Sequence, residues 1–303
     1  MTDQLIFGTV VSVILLAVSA GYWRGWRRLH GVLPGLASRS RLVAFCLFVI
    51  ATFLALVLPM HGWSRYFLLA RAFEKVLLVM VAAPLFWLSV PIHTLAWGRP
   101  ALRRNQSTRF WFRRNRWTET LRTITQPGSA WFLFLASFLM WHDNGLVSAT
   151  MPSDAWRTVV ALWLFGSGLL FWGQVIGTAP RRLATRSALA RLGCLISVEI
   201  PNVATGMYIA FHQYPIYDYY QQIRASNPDY FLHSISLIDD QGFSGALNWV
   251  FGSFVYFGSF VFVVSSLWRS VSNSNEPQPL IDWDADEKFI MPGLEARVHK
   301  PRS

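Results

Sequence analysis

Seven long apolar stretches divide this chain, and its basic residues collect in every second gap between them. A bilayer core about 30 Å thick needs roughly 20 apolar residues per helical crossing. Stretches of that length lie near 6–23, 41–59, 75–97, 129–147, 156–177, 191–211 and 243–268. They are continuous, not alternating, which favours helices over the strands of a membrane barrel. The expectation is an all-α integral membrane protein: a seven-helix transmembrane bundle over 1–269, followed by a short polar tail over 270–303.

The charges orient that bundle. Of 27 basic residues, 22 lie in the gaps after the first, third and fifth stretches and in the tail. The exceptions are Arg65, Arg71, Lys75, Arg157 and Arg224. Cationic loops stay on the cytoplasmic side, so the N-terminus is expected outside and the C-terminus in the cytoplasm. The net charge of +11 then points to anionic lipid as a contact and not to nucleic acid. Asp3 is the sole charge before the first stretch, which reads as a retained span and not a secretory signal. The compartment expected is a membrane with one face toward the cytoplasm.

The gaps carry further expectations. Phe110, Trp117, Leu121 and Ile124, with arginines between them, suggest a helix on the inner membrane surface. The long gap over 212–242 is rich in tyrosine. It reads either as an interfacial aromatic belt or as a docking loop. Cys46 and Cys194 read as packing residues, since no Cys-x-x-Cys pair is present.

Polar side chains at membrane depth are costly and need a partner or a purpose. Arg71, Glu74 and Lys75 open the third stretch, either as a solvated helix start or with Glu74 paired to a neighbouring cation. His61, Met140, His142 and His212 sit at helix ends expected on the outer face. Thioether and imidazole suit copper(I), so these four are the candidate metal ligands; ordinary interfacial residues are the competing reading. Glu199 and Asn202, three apart around Pro201, form either a structural polar contact or part of an ion path. Asp240 and Gln241 precede the seventh stretch, where Asp240 can cap the helix start. Gly245 and Gly252 there would admit a close neighbouring helix. No nucleophile elbow, phosphate loop or catalytic carboxylate pair occurs, and the chain is read as no enzyme.

Several segments together resemble the multi-span CtaG family of bacterial cytochrome c oxidase assembly factors. They are Val81-Ala82-Ala83-Pro84-Leu85-Phe86 with Pro91, Trp141-His142, and Gly168-Leu169-Leu170-Phe171-Trp172. Pro215-Ile216-Tyr217-Asp218-Tyr219-Tyr220 and Asp240-Gln241 through Gly245 and Trp249 complete the set, over about 60–270. The resemblance implies a membrane-embedded accessory factor for haem–copper oxidase maturation, with oxidase subunits as partners and a link to copper. It also marks this chain as divergent. Where the family tends to carry a His-x-x-x-His pair at the start of span three, this chain has Arg71 and Lys75. The family's histidines near the start of span five are missing too. The alternatives are a structural subunit of another respiratory or photosynthetic complex, or a small copper or proton transporter using Glu199 and Asn202.

Overall fold

The computed structural model describes residues 2–32, 37–57, 60–98, 120, 123–176, 187–227 and 234–274. All regular structure among them is helical. Helix α1 is Thr2–Val32, α2 Arg39–Leu56 and α3 Met60–Trp63. Helix α4 runs Leu68–Leu88 and is followed, after a 58° bend, by α5, Pro91–Gly98. Helices α6, α7 and α8 are Pro127–Trp141, Asn144–Thr150 and Asp154–Ile176. Helix α9 is Ala188–Phe211 and α10 is Asp218–Ala225. The last described helix, α11, begins at Leu237 and continues through a π-helical turn, Leu247–Phe251, into Gly252–Ser274.

Five helical stretches among the described residues, beginning at Ile6, Arg39, Asp154, Ala188 and Leu237, are long and apolar enough to cross a bilayer. The bent pair α4–α5 makes a sixth if counted as one crossing. The 15 residues of α6 extend about 22 Å at 1.5 Å per residue, short of a full crossing. The fourth apolar stretch, expected over 129–147, is therefore two helices. His142 ends α6, and Asp143 restarts the chain by accepting the Leu146 N–H at 2.8 Å. The polar pair His142-Asp143 outweighs the apolar residues on either side. Most of the basic segment expected as a surface helix, and residues 275–303 of the tail, lie outside the described residues.

The centre of the bundle is α4. Its Leu78, Val79, Ala83 and Trp87 pack with Phe134 of α6, Phe171 and Trp172 of α8, Val198 of α9 and Tyr256 of α11. Within α4, residues Val76–Ala82 form a π-helix, and the Ala83 N–H bonds to Leu78 O instead of Val79 O. The next donor in register for Val79 O would be residue 84, which is proline and has no N–H. Trp172 fills the gap, its indole N–H donating to Val79 O at 2.7 Å. A buried carbonyl left orphaned by local sequence thus fixes the packing of α8 on α4.

The α4–α5 bend leaves Val90 at φ 50, left-handed backbone that a β-branched residue rarely adopts. It is braced from α1, whose Tyr22 hydroxyl donates to Ser89 O at 2.9 Å. Helix α1 lies against α5 at backbone contact, because Gly25 and Gly98 face Thr94 and Gly21 with no room for a Cβ on either. Cys46 is exposed on α2 and so does not pack in the core as expected, while Cys194 is partly buried.

Candidate functional site

One end of the bundle holds a buried polar network built from α3, α4, α6, α8, α10 and the start of α11. Arg71, Glu74 and Lys75 are 3%, 2% and 1% exposed, so α4 does not begin in solvent. One turn of helix puts the three side chains inward, and each finds a different partner.

Glu74 reaches neither Arg71 nor Lys75. Its Oε1 accepts from His61 Nδ1 at 2.6 Å, both side chains being buried. His61 Nε2 lies 3.2 Å from the Thr158 hydroxyl. That hydroxyl donates its proton to Asp154 O at 2.9 Å, so toward His61 it accepts. The His61 ring is thus held between a carboxylate oxygen on one side and a hydroxyl oxygen on the other.

Lys75 points the other way. Its Nζ is 3.1 Å from His142 Nε2 and 4.5 Å above the Phe138 ring. His142 Nδ1 is held 2.8 Å from Phe138 O, a carbonyl that can only accept. The ring proton therefore sits on Nδ1, and Nε2 presents its lone pair to the lysine. Arg71 donates to Trp141 O at 2.8 Å and stacks over the Trp141 ring at 4.3 Å.

Two further arginines, both exceptions to the charge pattern, complete the network. Arg157, 2% exposed, donates to His61 O at 3.0 Å and to Asp154 Oδ1 at 2.7 Å. Arg224 donates to Asp240 Oδ2 at 2.8 Å and to Ile235 O at 2.6 Å. Asp240 does not cap its own helix, whose N-cap is Ser236. Its carboxylate instead accepts the Leu68 and Leu69 N–H groups at 2.9 and 3.0 Å, capping α4 from 172 residues away. Gln241 clamps the turn after α9: it accepts from Ile216 N–H at 2.8 Å and donates to Tyr214 O at 3.2 Å and His212 O at 3.3 Å.

The tyrosines after α9 turn inward. Tyr217, Tyr219 and Tyr220 are buried with Leu68, Val147, Met151 and Ile209, so they form no interfacial belt. Tyr220 donates to Ser64 O at 2.7 Å and Tyr217 to His142 O at 3.3 Å. Burial raises both hydroxyls above the ordinary tyrosine range and keeps them protonated as donors. Among the described tyrosines after α9, Tyr214 alone is largely exposed.

The four candidate metal ligands are not brought together. His61 and His142 are engaged as described, Met140 is 52% exposed, and His212 sits between the Tyr208 and Tyr214 rings. No group of three or more His, Cys, Asp or Glu side chains that could hold a metal occurs among the described residues. The residues present do not fit copper: a lysine holds the lone pair of His142, and an arginine and the same lysine line that side of α4. Glu199 and Asn202 do meet, at 3.2 Å, and Ser253 of α11 donates to the same carboxylate. They lie deeper along the bundle, apart from the network.

Sequence reasoning left Arg157, Arg224, Ser64 and Thr158 out of the site. Arg157 and Arg224 had a visible signal, since both break the charge pattern. Ser64 and Thr158 had none.

The description of cytochrome c oxidase caa3 assembly factors matches residues 20–270, which include every network residue named above. No curated protein and no solved structure matches this chain. On that match, the chain belongs to the Caa3_CtaG family of cytochrome c oxidase caa3 assembly factors.

Proposed function

We propose that this protein supports assembly of a haem–copper cytochrome c oxidase through helix and loop contacts with oxidase subunits, without handing over a metal and without catalysis. The observation carrying this reading is the Lys75–His142 contact: the lysine nitrogen occupies the histidine lone pair that a metal would need. The apolar lengths support seven crossings over 1–269, the charge distribution supports an outer N-terminus and a cytoplasmic tail over 270–303, and the family match supports the bacterial inner membrane. In this topology α4–α5 supply the sixth crossing and α6 together with α7 the seventh, and the network faces outward. Its functional residues are then Arg71, Glu74, Lys75, His61, His142, Asp240 and Gln241, which set the shape of that outer end. A deletion strain tests the proposal. Oxidase activity and assembled oxidase should fall together, and copper supplementation should not restore them. Normal oxidase assembly in a clean deletion, or full rescue by copper, overturns it.

A further inference from the structure

The last turns of α1, the first turn of α2 and α5 are bound into one corner. Gly25 and Gly98 hold α1 against α5 at backbone distance, and Arg28 donates to Trp97 O at 3.3 Å. The Trp26 indole N–H donates at 3.4 Å to Ser38 O, where α2 begins, and His30 Nδ1 lies 2.8 Å from Ala37 O. The rings of Trp23, Trp26 and His30 stack along α1, with centroids 5.5 and 4.8 Å apart. The corner is therefore a fixed platform.

Two exposed stripes leave it. On α1, Arg27, Trp23 and Leu16 share one face, by the periodicity of the helix. On α2, Arg39, Val43, Leu47 and Ile50 do the same. Each stripe has a cation at its head and apolar side chains running into the span, and Trp23 marks the junction on α1. Arg27 follows Trp26 and Arg39 follows Ser38, so the two guanidinium groups start on either side of the Trp26–Ser38 bond. No aspartate or glutamate occurs between Asp3 and Glu74. No ion pair among the described residues takes Arg27 or Arg39. A soluble acidic partner would answer the cations and leave the stripes bare, while a neutral lipid would do the reverse.

We infer that this corner binds an anionic phospholipid, its phosphate between Arg27 and Arg39, its glycerol level with Trp23 and its chains along the two stripes. The inference rests on the cytoplasmic placement proposed above only for the leaflet that supplies the lipid, and on the oxidase reading not at all.

Full-length protein in detergent micelles, titrated with dioleoylphosphatidylglycerol and followed by native mass spectrometry, tests it. A micelle has no leaflets, so an inverted topology would not alter the result. A first equivalent should bind saturably and in preference to dioleoylphosphatidylcholine. Arg27→Gln and Arg39→Gln should each weaken it about fivefold. Arg191→Gln, which removes a charge from α9, should leave it unchanged. Equal binding of the two lipids, or indifference to both corner variants, overturns the inference. An equal loss on Arg191→Gln does so too, by making net charge the cause, as does displacement of the lipid by millimolar inorganic phosphate. A photocrosslinker at Ser40 should label the lipid; capture of the acidic tail segment 282–287 instead would make the corner a contact within the chain and refute the lipid.

Discussion

Lys75 Nζ stands 3.1 Å from His142 Nε2, across a sequence separation of 67 residues. The contact joins α4 to the end of α6 and uses the one imidazole lone pair that the Phe138 carbonyl leaves free. An internal lysine thus holds this position. Wild-type protein should bind copper(I) far below stoichiometry. Arg71→His with Lys75→His should raise binding to about one equivalent, because soft nitrogen ligands then face His142. Equilibrium dialysis against a copper(I) chelator measures both.

Glu74 and His61 form a buried pair, and removing one partner leaves the other uncompensated. Glu74→Ala should cost about 3–5 kcal/mol. Glu74→Ala with His61→Ala should cost less than the sum of the single variants, with a coupling of about 1–3 kcal/mol. Thermal unfolding in one detergent, compared across the cycle, gives the coupling; additive losses would contradict the pairing.

Asp240 has two duties, as cap of α4 and as partner of Arg224. Asp240→Asn should destabilise by about 3 kcal/mol or more, because Arg224 is left buried without a carboxylate. Arg224→Gln alone should cost less, since both α4 N–H groups keep their acceptor. Added to Asp240→Asn, it should recover part of the loss. Limited proteolysis near residues 60–68 should accelerate for Asp240→Asn and much less for Arg224→Gln.

The indole of Trp172 serves a carbonyl that Pro84 cannot allow its own helix to satisfy. Trp172→Phe should cost about 1–3 kcal/mol beyond the loss of ring volume. Pro84→Ala supplies the missing N–H, so Trp172→Phe should be milder in a Pro84→Ala background. A double-variant cycle on unfolding temperature checks this, and equal costs in both backgrounds would refute the hydrogen-bond account.

The apolar stretches showed through in the sequence because a crossing helix needs a long run of one residue class. The charge pattern was legible for the same reason: it is a sum over many residues. Partner choice inside the bundle is set by depth and rotation, which span counting does not resolve. Glu74 was therefore readable as a residue needing a partner, while His61 as that partner was not. Asp240 was readable as a cap, but its own helix took Ser236 and left the carboxylate for α4. The tyrosines of 212–242 misled because aromatic content alone cannot tell an interfacial belt from a cluster folded back onto Leu68 and Met151. Arg71 and Lys75 were legible as departures from the family's histidines, and the structure supplies what they touch.

The distant cap on α4 also has a consequence for biogenesis. Chains leave the ribosome from the N-terminus, so Leu68 and Leu69 enter the membrane 172 and 171 residues ahead of the carboxylate that receives their N–H groups. Arg224 likewise waits for Asp240, 16 residues later. The polar end of the bundle is thus sealed by α11, the last of the described helices. A nascent chain stalled before α11 carries Arg71, Glu74 and Lys75 with the start of α4 still open. Only a chain translated through Asp240 and α11 can close that end.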